Sequence, residues 1–166
     1  AVAGLVALLA AVLYSPTLTY QLTSWDDPPY VLQNPLTRSL DLHSIRLMFS
    51  HFYEANYFPL NLLMYAVLRS IEGVNPWIYH AWNVLLHALC TALAFTVFRS
   101  LRLSRRAAAL GACVFLAHPA QVEVIAWVSQ AKTLLATALG LGSLRALLLY
   151  RRRRVESPAM GWLIAS

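Results

Sequence analysis

Long apolar runs, separated by short charged clusters, dominate the pattern along the chain. Residues 1–22 carry no charge and can cross ~30 Å of hydrocarbon as a helix. Further apolar runs occupy residues 77–99, 107–117 and 132–150, and residues 161–166 form the truncated start of another. Asn75 and Ser104 lie where helix N-caps are expected, ahead of the second and third runs. The pattern predicts an all-α polytopic membrane protein with four to five transmembrane helices.

Two shorter amphipathic segments interrupt the polar stretch at residues 23–76. In residues 41–49, Leu42, Ile45 and Met48 fall on one helical face. Residues 58–71 contain Arg69 and an apolar core of about twelve residues. This core is too short to span a bilayer. Both segments are predicted to be interfacial helices that lie on the membrane surface, inside a long first external loop.

The composition agrees with a membrane protein, and the distribution of charge along the chain adds further information. The chain is 59% hydrophobic and 12% charged, about half the charge of a soluble domain, so a water-soluble globule is excluded. Its net charge of +6 would indicate nucleic acid in a soluble protein. Here nine of the 13 Lys and Arg fall in two clusters that abut apolar runs, at residues 99–106 and 145–154. A nucleic-acid partner is therefore not expected.

The positive clusters also predict the topology. Loops on the cytoplasmic side of a membrane are enriched in Lys and Arg, which places residues 100–106 and 151–160 inside. Residues 23–76 are then external, and residues 118–131 form an external re-entrant or interfacial segment. The four spans 1–22, 77–99, 107–117 and 132–150 connect these loops.

Ionisable and polar side chains gather from four segments at the predicted external face, where a charge near the membrane is a functional-site hypothesis. They are Asp26, Asp27, His80, Asn83, His87, His118, Glu123 and Lys132. Each has a structural alternative. The aspartates could form an acidic turn before two prolines, the histidines at 80 and 87 could be an interfacial and a core residue, and Glu123 could pair with Lys132.

Four motifs carry a resemblance to a known family. They are Trp25-Asp26-Asp27-(x2)-Tyr30-Val31-(x2)-Asn34, Asn56-Tyr57-Phe58-Pro59-Leu60, Tyr79-His80-(x2)-Asn83-(x3)-His87 and His118-Pro119-(x3)-Glu123-(x2)-Ala126-Trp127. In this order they resemble the tetratricopeptide-repeat-bearing transmembrane O-mannosyltransferases and their bacterial relatives, which belong to the GT-C class of glycosyltransferases. The chain resembles the N-terminal membrane part of such a protein, because it contains no 34-residue helical repeat.

The resemblance implies an inverting transfer of sugar from a polyprenyl-phosphate donor to a hydroxyl acceptor on a protein or glycan. The active site would face the periplasm, from a bacterial inner membrane, or the lumen of the endoplasmic reticulum. Asp26 or Asp27 would be the base, with Glu123 as a further acidic residue. The two aspartates could instead bind Mg²⁺ or Mn²⁺. Residues expected to bind the donor or support its site are Tyr57, His80, Asn83, His118 and Lys132.

Two positions depart from the family pattern. Phe58 stands where the family has an arginine, and Ala131 precedes Lys132 where the family has Arg-Lys. Because a lipid phosphate needs a cation, Lys132 would supply that charge.

Two other classes of function remain open at this point. A transporter or flippase would use the intramembrane polar groups as an ion path, but such proteins usually contain internal repeats and the chain contains none. A non-catalytic membrane scaffold would tolerate asparagine at both aspartates, which a glycosyltransferase would not.

Overall fold

The computed structural model describes residues 2–156, and it is helical almost throughout. Within these residues there is no β-strand beyond an isolated bridge between Tyr53 and Asn56. The truncated run predicted at residues 161–166, and the end of the predicted loop 151–160, lie outside the described residues. The helices are α1 (Val2–Tyr14), α2 (Leu42–Ser50), α3 (Pro59–Glu72), α4 (Pro76–Ser100), α5 (Arg105–Ala117), α6 (Ala120–Ala126) and α7 (Ala131–Glu156).

Three segments of the described chain are long and apolar enough to cross a membrane: Val2–Thr19, Pro76–Ser100 and Val128–Arg154. Helix α4 is the central one and packs against α1, α5 and α7. Close helix packing uses small residues, as membrane helices do. Ala10 of α1 and Ala88 of α4 are buried against Leu116 of α5. The predicted all-α polytopic membrane protein is confirmed.

The third apolar run is a broken helix. Helix α5 has 13 residues, which at 1.5 Å each gives about 20 Å, short of the ~30 Å hydrocarbon core. The chain then bends by 61° into α6. Pro119 explains the break, because it has no N–H and forces the preceding His118 into an extended conformation. Counted as one span, the bent pair raises the number of candidate spans from three to four.

The bundle has two distinct ends. Helices α4 and α7 run in the same direction, since Arg99 and Arg152, towards their respective C-termini, line one groove. We call this the arginine end. Asn83, near the start of α4, bonds to Trp127 just before α7, so the opposite end holds the N-termini of both helices. The α5–α6 pair therefore carries the chain back between them.

Buried side chains satisfy the backbone groups that the break leaves open. The last carbonyls of a helix have no partner within it, and hydrocarbon offers none. The Leu116 carbonyl near the end of α5 accepts hydrogen bonds from the Tyr14 hydroxyl (3.0 Å) and His87 Nε2 (3.3 Å). His87 is thus a core histidine bonded to a neighbouring helix.

Side chains also donate to backbone carbonyls at the end of α6 and just after it. The Asn83 amide donates to the carbonyls of Ile125 (3.2 Å) and Trp127 (3.1 Å), and the Tyr65 hydroxyl donates to the carbonyl of Val128 (2.9 Å). Side chains from α1, α3 and α4 therefore hold the connection from α5 to α7 in place.

The polar stretch before α4 folds into short helical turns around α2 and α3. The Asp41 carboxylate caps α2 by accepting from the Ser44 amide (2.7 Å). Helix α3 begins with Pro59 at its first position and ends at Gly73, whose φ of +66° favours glycine. Arg69 ties α3 to the π-helical turn Pro28–Leu32 by donating to the Val31 carbonyl (2.8 Å). That α2 and α3 lie on a membrane surface stays a prediction.

Candidate functional site

Asp27 is the centre of the polar cluster, and it is fully buried. One carboxylate oxygen accepts from the Thr23 amide (2.8 Å) and hydroxyl (3.0 Å). The other accepts from the Ser129 amide (2.9 Å) and hydroxyl (2.5 Å). The carboxylate thus fastens the segment after α1 to the turn before α7, and its four lone-pair positions are all used.

Asp26 has a different environment from its neighbour. It is half-buried, and its side chain accepts no hydrogen bond from the described residues. Burial, and then the charge of Asp26, raise the pKa of the Tyr30 hydroxyl, so the two groups interact electrostatically. The Tyr30 hydroxyl also accepts from the Asn56 amide (2.9 Å). Within the described residues the Asp26 carboxylate thus accepts no hydrogen bond, in contrast to that of Asp27.

Lys132, at the start of α7, lies close to the Tyr30 ring. Its ammonium group lies 5.2 Å from the centre of the Tyr30 ring and 5.9 Å from that of Phe58, within cation–π range. Glu123 forms no ion pair with it, so the pairing considered from the sequence does not occur between these two described residues. The two aromatic faces therefore help to fix the position of the Lys132 ammonium.

A mostly apolar groove of about 250 Å³ leads away from this cation. We name it the Lys132 groove; it is lined among others by Tyr57, Phe58, Leu60, Lys132, Leu135 and Leu139. Leu60 and Leu139 are exposed, so the groove opens to the surroundings of the bundle along α3 and α7. Tyr57, which donates to the Phe49 carbonyl (3.0 Å), forms part of its wall.

Glu123 lines a second groove, of about 480 Å³, with Thr23, Ser24, Trp25 and Trp127. The two tryptophan rings meet edge to face at 5.9 Å, and Trp25 is 76% exposed. Thr23 belongs to this Glu123 groove and also bonds Asp27, so the buried carboxylate positions one of its walls. A carboxylate beside exposed aromatic rings can bind a polar molecule that has an apolar face.

The other sequence candidates have mainly structural partners. Asn83 bonds backbone carbonyls, as described above. His80 is buried against the Tyr20 ring, with centroids 6.2 Å apart. His118 is exposed, and its Nδ1 accepts from the Ala120 amide (3.2 Å) at the start of α6. None of the three lines the Lys132 groove or the Glu123 groove.

Asp27 does not fit the divalent metal considered from the sequence, whereas a metal ligand at Asp26 stays a prediction. Both oxygens of Asp27 already accept two hydrogen bonds each, which leaves no lone pair for an ion. Over residues 2–156, no three His, Cys, Asp or Glu side chains are grouped closely enough to hold a metal.

The sequence reasoning missed the residues that position the candidates. Ser129 is 102 residues from Asp27, and no local pattern connects the two. Tyr30 belongs to the first motif, and its place between Asp26 and Lys132 emerges only in three dimensions. A signal was available for Asn56, since it opens the second motif.

Comparison with known proteins supports the resemblance over part of the chain. It is 39% identical to human protein O-mannosyl-transferase TMTC2 over 72 residues, which are 43% of this chain and 8% of that protein. Identity to Drosophila melanogaster protein O-mannosyl-transferase Tmtc1 is 37% over 68 residues, 41% of this chain and 8% of the relative. Drosophila melanogaster protein O-mannosyl-transferase Tmtc2 matches at 34% over 106 residues, 63% of this chain and 11% of its own length.

The matched regions thus span about a tenth of each relative. No family model matches the chain. No solved structure matches it either. With the apolar helices, the partial similarity indicates an integral membrane protein that is a relative of named O-mannosyl-transferases.

Proposed function

We propose that the chain forms part of a membrane glycosyltransferase that moves a sugar from a polyprenyl-phosphate donor to a hydroxyl group of a protein. The observation that carries the proposal is the Lys132 ammonium, held over the Tyr30 and Phe58 rings where it lines the apolar Lys132 groove. The names of the partially similar proteins support the same class of reaction. The reacting face would be the periplasmic or lumenal one.

The donor has two chemically different parts, and the site offers a partner for each. An isoprenoid chain is apolar and fits the Lys132 groove, whose leucines are open to the bilayer. Its phosphate carries negative charge, which the Lys132 ammonium would stabilise as the leaving group departs. Held over two aromatic rings, the ammonium is already in place before the reaction starts.

Asp26 would act as the general base. The acceptor hydroxyl oxygen attacks the anomeric carbon, the bond from that carbon to the phosphate oxygen breaks, and the hydroxyl proton passes to the Asp26 carboxylate. Attack from the face opposite the leaving group inverts the anomeric centre. Asp27 is less suited to this role, because its lone pairs are already bonded. We assign it to positioning.

Substitution of Asp26 tests this proposal. In the intact protein, Asp26→Asn should lower the rate of mannose transfer from dolichyl-phosphate mannose to an acceptor protein by about 10²–10⁴-fold, the usual contribution of a general base. Glu72→Gln is a matched control, since this exposed carboxylate lies in the same predicted external region at the end of α3. Near-normal transfer by Asp26→Asn would refute the assignment.

One observation favours a transporter instead. Transporters contain broken helices, and α5 and α6 are bent by 61°. However, the polar groups around this break are bonded to its backbone. A flux assay with reconstituted protein distinguishes the two functions, because a glycosyltransferase would move no ion in the absence of donor.

A further inference from the structure

The arginine end of the bundle has a groove of its own, far along α4 and α7 from Asp27. Its volume is about 300 Å³. Arginine side chains from two helices line it, together with hydroxyl and apolar groups: Arg99, Arg145, Arg152, Thr96, Phe95 and Leu148. We name it the arginine groove. Neither the reaction proposed above nor any residue assigned to it uses this groove.

The side chains of the groove match the chemistry of a phosphate group. Arginine is planar and presents five N–H donors, so it can bind phosphate oxygens through two parallel hydrogen bonds. Arg99 donates through Nη1 to the Leu103 carbonyl, which fixes its direction and leaves further N–H groups available. Among the residues whose side chains the structure describes, no acidic one lines the groove.

The position of the groove favours a phosphate that is carried by a lipid. It lies at the end of two helices that are long and apolar enough to span a bilayer. On the same turns of α7, Leu144 and Leu147 are exposed, and acyl chains can lie along them. Basic pockets between spanning helices are where anionic headgroups bind, and anionic lipids are enriched in the leaflet that positive loops face.

We propose that the arginine groove binds the phosphate headgroup of an anionic membrane phospholipid. The bound headgroup bridges the C-terminal parts of α4 and α7, and it screens the mutual repulsion of their arginines. This lipid site takes no part in sugar transfer, so its test does not depend on the proposed glycosyltransferase activity.

The test measures lipid binding by the intact protein in neutral detergent, with native mass spectrometry as the readout. Dioleoyl-phosphatidylglycerol is expected to bind at least about tenfold more tightly than dioleoyl-phosphatidylcholine, because only the former is anionic. Arg99→Gln/Arg145→Gln should weaken phosphatidylglycerol binding by about tenfold or more, since it removes two phosphate partners. Equal binding of the two lipids by the unsubstituted protein would overturn the proposal.

A matched control separates the groove from general attraction by positive charge. Arg105→Gln/Arg106→Gln removes the same charge from exposed positions at the same end, and it should change binding less than about twofold. Equal losses in both double variants would mean a diffuse attraction and no site. Glycerol 3-phosphate and inorganic phosphate test whether the groove binds a water-soluble phosphate instead. Binding of either as tightly as the lipid would exclude a lipid site.

A second variant keeps the test decisive if the glutamine variant does not fold. Arg99→Lys/Arg145→Lys retains both charges but loses the planar donor pairs, so phosphatidylglycerol should bind about threefold more weakly. Unchanged binding in this variant, with the glutamine variant unfolded, would count against recognition by these arginines.

Discussion

Replacing Asp27 with asparagine should destabilise the protein, whereas the same change at Asp26 should not. The carboxylate of Asp27 is fully buried and accepts four hydrogen bonds that join Thr23 to Ser129 across 102 residues of chain. An asparagine side chain has the same shape but only one accepting oxygen. Its amide nitrogen must therefore face two donors.

The size of the effect follows from which donors lose their acceptor. Ser129 is buried, so the remaining oxygen will turn towards it, while the amide nitrogen faces Thr23, which water can reach. Two hydrogen bonds to a charged acceptor are lost, each worth about 1.5–3 kcal/mol, and solvation of Thr23 recovers part of this. We expect a loss of about 2–4 kcal/mol, which for a chain of this length lowers the melting temperature by about 5–15 °C.

Thermal unfolding in detergent, followed by tryptophan fluorescence, measures this loss. Trp25 and Trp127 lie next to the two segments that Asp27 joins, so their emission reports the connection directly. Asp26→Asn is the matched control, and a change of less than about 0.5 kcal/mol is expected for it, as for surface positions. A double-mutant cycle of Asp27→Asn with Ser129→Ala should show coupling above 0.5 kcal/mol, the level typical of residues in one network.

A single outcome would refute this reasoning. If Asp27→Asn unfolds within about 2 °C of the unsubstituted protein yet abolishes sugar transfer, then its hydrogen bonds do not hold the fold and the residue acts in the chemistry. Unchanged stability with unchanged transfer would refute the positioning role as well.

Three further predictions concern separate parts of the structure. Lys132→Ala should raise the KM for the lipid-phosphate donor by about tenfold and Lys132→Arg by less, measured from initial rates, because the phosphate loses its cation. Gly111→Leu should cost about 1–3 kcal/mol in thermal unfolding, since even a Cβ at Gly111 would lie 2.9 Å from the Phe98 ring. The Ser39 hydroxyl and the Ser44 amide hold the pKa of Asp41 below 3.8, so its cap is at full strength above that value. The protection factor of the Ser44 amide, which is the exchange rate of an unstructured peptide at the same pH divided by its own rate, should therefore fall only as the pH drops below 3.8 through the lower folded pKa.

The helices of this protein could be predicted because their signals are local. Asn75 and Ser104 accept hydrogen bonds from amides two and three residues further on. Their role as helix N-caps therefore depends only on residues within one turn of the chain. The apolar runs are equally local, and they indicate spans by length alone. The break at Pro119 was visible as the end of a run, but its 61° bend depends on the partners that hold α6.

The roles within the candidate site could be predicted only in part, for the opposite reason. Asp26 and Asp27 are neighbours with the same chemistry, and the sequence offers no ground for choosing between them. Their difference arises from Ser129, which bonds only Asp27 and is 102 residues away from it along the chain. Contacts at such separation leave no periodic pattern, so they can be found only once the helices are packed.

The structure divides the polar residues near the Asp27 end into two groups, and the division has a physical cause. A helix broken next to hydrocarbon must have its open backbone groups satisfied by other parts of the protein. Asn83, His87 and Asp27 do this, which explains polar side chains at depth without any catalytic role. Asp26, Glu123 and Lys132 bond no backbone group, so their charges remain available to a bound molecule. Substitutions in the first group should therefore reduce stability before activity, and those in the second should reduce activity alone.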